Sequence, residues 1–184
     1  MQSSIHSSTC PCCTPSPVGP ANRRQFMRNM AVGAAALGGS LSAFAASGKY
    51  DFMLLSCIDP RFQEPVRLHA HNGGPTGKYS SFVVAGGAIG VVAPAFKEWH
   101  RTFWENLGAS VQLHAIQKVV VINHRDCGAA KIAYGAEKVA TPEIETQTHR
   151  MALQQFRDQL RERHPKLGVE TGLMALDGKL ERFS

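Results

Sequence analysis

Residues 50–61 read YDFMLLSCIDPR, an apolar run that stops abruptly at Cys, Asp and Arg. This pattern predicts a buried strand that delivers polar side chains at its carboxyl end. Residues 118–128 repeat the design, because apolar KVVVIN is followed by HRDCG. Two parallel strands of this kind would bring Cys57, His124 and Cys127 to one edge of a sheet. Two thiolates and one imidazole form a three-ligand zinc set whose fourth position is open to water.

Length and composition describe one globular domain. The chain has 184 residues, of which 43% are hydrophobic and 18% charged, so it can bury a core without staples. The formal net charge of +6 raises the question of nucleic-acid binding. Three basic residues lie before Ala46 in a segment without acids, and residues 46–184 carry only about +3. Basic residues near the C-terminus alternate with acids, as on a solvated helix face, and we expect no nucleic-acid partner.

The first 45 residues are predicted to be an export signal. Residues 1–22 are rich in Ser, Pro and Cys without hydrophobic periodicity, which is typical of disorder. Arg23 and Arg24 then precede a Gly/Ala-rich apolar run and a small-residue site at Ala45, an order that indicates a secretory signal. The paired arginines resemble the twin-arginine export motif of bacteria. Cleavage near Ala45 would leave a periplasmic domain of residues 46–184, and the apolar run is a poor membrane anchor.

Export would change both the number of cysteines in the protein and their redox environment. Cys10, Cys12 and Cys13 lie ahead of the signal, in a segment with no framework to orient them. Their removal leaves Cys57 and Cys127, which an oxidising periplasm would ordinarily join as one disulfide. The alternative is that both are thiolates held by metal. Twin-arginine export carries folded proteins, so a metal could be inserted beforehand in the reducing cytoplasm.

Hydrophobic periodicity predicts that strands and helices alternate in the remaining chain. Strands are expected at residues 50–57, 81–85, 118–123 and 168–176, and helices at 63–69, 94–114, from 128 onward and from 142 to Pro165. This alternation indicates an α/β fold with a small parallel sheet flanked by helices. The glycine-rich stretch 86–90 would let bare backbone approach the site closely.

The two strand-end motifs together resemble one known family. C-x-D-x-R at residues 57–61 and H-x-x-C-G at residues 124–128 are similar to the motifs of the β-class carbonic anhydrases. Residues 174–180, MALDGKL, are also similar to the last strand and turn of that family. The resemblance covers roughly residues 50–180 and implies the fold of that family.

The resemblance also implies a mechanism. Cys57, His124 and Cys127 would hold zinc, and zinc-bound hydroxide would hydrate carbon dioxide reversibly to bicarbonate. Arg61 would fix the carboxylate of Asp59 by a forked hydrogen bond. Asp59 would accept the hydrogen of the hydroxide and so aim its lone pair. Some family members instead let this acid occupy the fourth zinc position, and the sequence leaves both states open.

The sequence departs from the family at one strand end. Where the family has an Arg-Asn-Ala-Gly type of sequence, residues 83–86 read VVAG and lack both polar side chains. The substrate could therefore be a relative of carbon dioxide, such as carbonyl sulfide or carbon disulfide. A non-catalytic protein with a Cys57–Cys127 disulfide is a further alternative.

Two other expectations concern assembly and a second metal pair. Members of this family pair their subunits, and the helix at 94–114 carries aromatic residues such as Trp99 and Trp104, so we expect a homodimer or a multiple of one. Glu145 and His149 lie one helical turn apart, a spacing that could bind metal but also arises by chance.

Overall fold

The fold is organised around a strand that is buried along its whole length. The computed structural model describes residues 50–72 and 78–184. Strand β1 (Phe52–Ser56) has five buried residues in succession, as a central strand covered on both faces requires. The predicted export signal, its cleavage site and the first three cysteines lie outside the described residues.

In the described part of the chain, five strands form one sheet in the order β2-β1-β3-β4-β5. Strands β2 (Tyr79–Val83), β1, β3 (Lys118–His124) and β4 (Gly168–Met174) are parallel, and β5 (Leu180–Phe183) is antiparallel to β4. The predicted α/β class with a small, mostly parallel sheet is therefore confirmed. Register places Ser56 of β1 opposite Ile122 of β3, so both strands end at the same edge.

Within residues 50–72 and 78–184, five α-helices connect and cover the strands. They are α1 (Pro60–Asn72), α2 (Ala88–Val92), α3 (Lys97–His114), α4 (Gly128–Tyr134) and α5 (Pro142–Arg163). Helix α5 starts as its sequence predicts, since the Thr141 side chain accepts a hydrogen bond from the Ile144 amide and Pro142 occupies the first turn. Within the described residues, no helix combines the length and apolar character needed to cross a membrane.

Several predicted boundaries were wrong. Helix α1 begins at Pro60 instead of residue 63, because proline fits the first helical position, where no amide donor is needed. Strand β2 lies two residues earlier than predicted. The last parallel strand ends at Met174, and Gly178, with a φ of 89°, belongs to a turn into β5. Helix α2 and strand β5 were missed because four or five residues carry too little periodicity to recognise.

Aromatic side chains from three of the helices lie in the core. Phe62 of α1, Phe103 of α3 and Phe156 of α5 are fully buried. Phe103 packs edge-on against Phe156 with ring centroids 5.5 Å apart. The aromatic stripe of α3 thus contributes to the core, although Trp99 remains 39% exposed.

Candidate metal centre

Three side chains converge at the carboxyl edge of the sheet. Cys57 follows β1, His124 ends β3, and Cys127 caps the start of α4. Their ligand atoms all lie within 4.8 Å of one another, and all three residues are buried. Both cysteines are free thiols whose sulfurs are 4.0 Å apart, about twice the length of a disulfide bond. The structure therefore brings together the three residues that the sequence predicted as ligands.

The His124 ring is oriented to offer one nitrogen to this cluster. Its Nδ1 lies 2.8 Å from the carbonyl oxygen of Arg125, so Nδ1 carries the proton and donates. Its Nε2 is buried and has no hydrogen-bond partner. Phe62 stacks on the imidazole at 4.8 Å between ring centroids. A buried acceptor without a partner is costly, and a metal ion beside two sulfurs would satisfy it.

The surroundings favour a thiolate at Cys57. The pKa of Cys57 is lowered to about 4, first by a hydrogen bond from Cys127 and further by His124 and the Gly86 amide, despite its burial. The pKa of Cys127 is raised, because it donates to Cys57 and is itself buried. Burial lowers the pKa of His124, but contact with the Cys57 thiolate outweighs this and raises it overall. Thiolate is the form of cysteine that binds metal.

The glycine-rich turn approaches the cluster as its sequence predicts. The Gly86 amide donates to Cys57 Sγ at 3.1 Å, and Gly86 and Gly87 have φ angles of 82° and 56°. A β-carbon on Gly87 would lie 2.7 Å from Oδ1 of Asn123. Glycine is needed here both for backbone conformation and for space.

Asp59 and Arg61 form a pair beside the three ligand residues. Arg61 Nε lies 3.1 Å from Asp59 Oδ1, and its Nη2 lies 2.7 Å from Oδ2. The hydrogen bond from Arg61 lowers the pKa of Asp59 to about 2. Asp59 Oδ2 lies 4.0 Å from His124 Nε2. An ionised carboxylate therefore stands at the side of the cluster, with both oxygens engaged by arginine.

Asp126, next to Cys127, also contacts the Asp59–Arg61 pair. Its carboxylate accepts a second hydrogen bond from Arg61, with Nη1 2.7 Å from Oδ2. Asp126 has a φ of 56°, an uncommon conformation for a residue other than glycine. No sequence signal distinguishes this role, because residues 125 and 126 are simply the two variable positions between His124 and Cys127.

Glu145 and His149 are engaged separately. Glu145 Oε1 accepts a hydrogen bond from the Asp126 amide at 2.6 Å, while His149 Nδ1 lies 3.0 Å from Nδ2 of Asn123. Both residues are buried. The structure thus gives each of these side chains a protein partner of its own, which the one-turn spacing alone did not predict.

A hollow of about 440 Å³ opens beside the cluster. Asp59, Arg61 and Cys127 line it on one side, and Thr141 and Pro142 line it on the other. Of the three candidate ligand residues, Cys127 is the one that lines it. A second hollow of about 500 Å³ lies between α5 and β5 and contains none of the three ligand residues.

Comparison with known proteins gives relatives by sequence and by structure. No protein-family profile matches the sequence. The chain is 32% identical over 131 residues to the "Uncharacterized protein RC0076" of Rickettsia conorii, covering 71% of this chain and 70% of that protein. It is 29% identical over 131 residues to an "Uncharacterized protein" of Rickettsia bellii, covering 71% and 80%.

Several solved structures with the same fold are carbonic anhydrases. One from Streptococcus mutans matches with a TM-score of 0.51 and 16% identity over 88% of this chain and 96% of that one. The β-carbonic anhydrase CafA of Aspergillus fumigatus matches with a TM-score of 0.51 and 13% identity, covering 88% and 86%. A Coccomyxa β-carbonic anhydrase in complex with acetazolamide also gives 0.51, at 14% identity, covering 87% and 84%. The predicted β-carbonic-anhydrase-like fold is therefore confirmed.

Proposed function

The chain belongs to the family of the Rickettsia conorii protein RC0076, and on the fold it shares with β-carbonic anhydrases we propose that it catalyses the zinc-dependent reversible hydration of carbon dioxide to bicarbonate. One observation carries the proposal: two free cysteine sulfurs and an unpartnered imidazole nitrogen lie within 4.8 Å of one another in a buried site. This donor set suits zinc with an open fourth position.

Three of the described residues would bind the metal, and two others would orient the reacting groups. Cys57, His124 and Cys127 would hold zinc, which when bound lowers the pKa of a coordinated water toward ~7 and so supplies a nucleophile at neutral pH. Arg61 holds Asp59 ionised and immobile. An ionised carboxylate can only accept hydrogen bonds, so Asp59 would accept one from the attacking oxygen and aim its lone pair at the carbon of the substrate.

Zinc stoichiometry combined with thiol titration tests the metal site. Purified protein should contain about one zinc per chain, and in protein cleaved near Ala45 the removal of zinc should expose two titratable thiols, Cys57 and Cys127. Stopped-flow hydration of carbon dioxide should then require the metal. Protein without metal and without free thiols would instead support the non-catalytic alternative, in which Cys57 and Cys127 form a disulfide.

A related substrate is the alternative within the same chemistry. Residues 83–86 carry no polar side chain, and the Gly86 amide lies against Cys57. This apolar stretch next to a ligand residue would suit carbonyl sulfide or carbon disulfide as well as carbon dioxide. Measuring sulfide release from both compounds beside carbon dioxide hydration would rank the three substrates.

We also propose a homodimer, or a multiple of one. Ile58, next to the first ligand, is 58% exposed, and Ile132 on α4 is 73% exposed. Trp99, stacked on Phe96 with ring centroids 4.4 Å apart, is 39% exposed. These apolar side chains would be covered in a pair of subunits. Light scattering at micromolar concentration measures the mass, and a fully active monomer would contradict the proposal.

Export to the periplasm remains a proposal from the sequence. It rests on Arg23-Arg24 and on the small residues up to Ala45. Mature protein should begin near Ala46, and replacing both arginines with lysine should abolish export. N-terminal sequencing of protein from separated cell fractions measures both. Full-length protein in the cytoplasm under normal expression would argue against export.

A further inference from the structure

Two buried polar side chains of helix α5, Glu145 and His149, form hydrogen bonds to the segment 123–127, which contains His124 and Cys127. Glu145 is 7% exposed and His149 is fully buried. They lie one turn apart on the helix and reach Asp126 and Asn123 respectively. His124 lies between these two attachment points and Cys127 adjoins one of them. Buried polar groups of this kind are costly unless their hydrogen bonds are made.

The Glu145 carboxylate fixes the backbone at Asp126, next to Cys127. Its Oε1 accepts from the Asp126 amide at 2.6 Å, and its Oε2 accepts from Arg125 Nη1 at 3.2 Å. The hydrogen bond to a carboxylate is stronger than one between neutral groups. It holds Asp126 at a φ of 56°, a conformation that a free chain rarely populates. This backbone conformation sets the direction in which the chain delivers Cys127.

The His149 imidazole fixes the side chain of Asn123, next to His124. Asn123 Oδ1 accepts from the Ala88 amide at 3.0 Å, so the amide group of Asn123 must donate through Nδ2 to His149 Nδ1. That assignment makes His149 a neutral acceptor at Nδ1. Burial lowers the pKa of His149 to about 3, with smaller contributions from His124 and Arg125, which agrees with a neutral ring.

The Asn123 side chain also connects His149 to the surroundings of Cys57. Ala88 follows the turn in which the Gly86 amide donates to Cys57 Sγ at 3.1 Å. Asn123 therefore attaches this turn to β3, and His149 holds Asn123 in the orientation that makes the attachment. The contact reaches the surroundings of Cys57 as well as those of His124.

We propose that Glu145 and His149 are positioning residues that preset the His124–Cys127 segment for metal binding. The proposal rests on the proposed metal site and adds that α5, which supplies no ligand, determines how well that site binds. Loss of a hydrogen bond that orients the surroundings of metal ligands typically weakens affinity ~10–100-fold. We expect about tenfold for each contact, because each acts through one neighbouring residue.

Cobalt binding to the reduced, metal-free full chain tests the proposal without relying on catalysis, with Cys10, Cys12 and Cys13 replaced by serine in every variant so that Cys57 and Cys127 supply the sulfurs. Sulfur-to-cobalt charge-transfer absorption reports both affinity, by chelator competition, and the arrangement of the sulfurs. Glu145→Ala and His149→Leu remove the accepting atoms, and both should bind about tenfold more weakly with a shifted absorption band. Glu145→Gln and His149→Asn keep an acceptor near the original position and should recover most of the affinity.

Leu160→Ala is the matched control, because Leu160 is fully buried on the same helix and is not part of the site. It should lower the melting temperature of the protein and leave cobalt affinity and spectrum unchanged. Should an Ala or Leu variant fail to fold, Glu145→Asp and His149→Gln displace the acceptor by about one methylene. They are expected to weaken binding while the chain remains folded.

The outcomes separate this proposal from the proposed function. Wild-type protein that binds no cobalt and no zinc overturns both. Wild-type binding together with unchanged affinity and spectrum in the Glu145 and His149 variants overturns the positioning role alone. An equal loss of affinity in Leu160→Ala also overturns it, since the effect would then reflect general destabilisation.

Discussion

Arg61 holds Asp59 through both carboxylate oxygens, at 3.1 Å from Nε to Oδ1 and 2.7 Å from Nη2 to Oδ2. The remaining terminal nitrogen, Nη1, donates to Asp126 at 2.7 Å. The guanidinium is thereby fixed between two acids, and the bidentate geometry fixes the plane of the Asp59 carboxylate. Asp59 keeps its orientation relative to the three ligand residues without binding to them.

Asp59→Ala should separate an orienting role from a ligand role. We expect the variant to retain about one zinc per chain, because Cys57, His124 and Cys127 suffice as ligands. Hydration of carbon dioxide should fall ~10²–10⁴-fold, the usual contribution of a positioned acid or base. Metal analysis and stopped-flow kinetics on the same preparation measure both. Wild-type turnover with zinc bound would reduce the Asp59–Arg61 pair to a structural ion pair.

Arg61→Ala should resemble Asp59→Ala in rate. Without its partner, the Asp59 carboxylate could rotate toward the metal and compete with water for the open position. Arg67→Ala provides the control, because Arg67 lies on the same helix and, among the described residues, forms its ion pair with Glu64, at 2.9 Å. Exposed pairs of that kind contribute little. Steady-state hydration should therefore drop for the Arg61 variant and remain at the wild-type level for the Arg67 variant.

Cys57→Ser and Cys127→Ser should each lose metal and activity together. Serine is a poor zinc ligand at neutral pH, since its hydroxyl stays protonated where a thiolate would bind. Zinc content after dialysis, measured beside circular dichroism of the fold, checks this expectation. Retention of one zinc per chain in either variant would contradict the assigned ligand set.

The stability of the metal-free protein should fall below pH 6.5 because of His149. Burial lowers its pKa from 6.5 to about 3 in the folded state. Between these two pH values, His149 is therefore protonated in the unfolded chain and neutral in the folded one. Above pH 6.5 His149 is neutral in both states and costs no stability. As the pH falls from 6.5 toward 3, its protonation in the unfolded state lowers the free energy of unfolding by up to about 1.4 kcal/mol per pH unit.

Replacing His149 removes this titration. Urea unfolding of the His149→Asn variant between pH 4 and 8 should show a shallower decrease in stability toward acid than the wild type. The difference between the two proteins should be constant above pH 7 and shrink, or reverse, toward pH 4. Parallel curves over the whole range would mean that another group governs the acid dependence.

Gly87→Ala should destabilise the fold. Gly87 has a φ of 56°, and an added β-carbon would lie 2.7 Å from Asn123 Oδ1, so we expect a loss of roughly 1–3 kcal/mol. Gly108→Ala is the opposite case, because Gly108 lies inside α3 with nothing within 4 Å of an added β-carbon. It should stabilise the helix by about 0.5–1 kcal/mol. Thermal and urea unfolding of both variants measure the contrast.

The elements that could be predicted from sequence are those with strong local signals. Apolar runs located β1 and β3, of which only β3 is rich in β-branched residues, and Thr141 with Pro142 located the start of α5. Helix α2 and strand β5 escaped because four or five residues are too short to show a period. The candidate ligand residues could be brought together from sequence because they lie at or just after the ends of buried strands, and parallel strands end at one edge of a sheet.

The sequence by itself determined the α/β class and the candidate ligands Cys57, His124 and Cys127, because strand periodicity and residue type are local properties of the chain. Only the tertiary structure decided the contacts of Asp126, Glu145 and His149. The Asp126 side chain bonds to Arg61, 65 residues away along the chain, and those of Glu145 and His149 bond to partners 19 and 26 residues away. Such pairings depend on how α5 packs against the ends of the strands, and no periodicity or motif in the sequence records that packing.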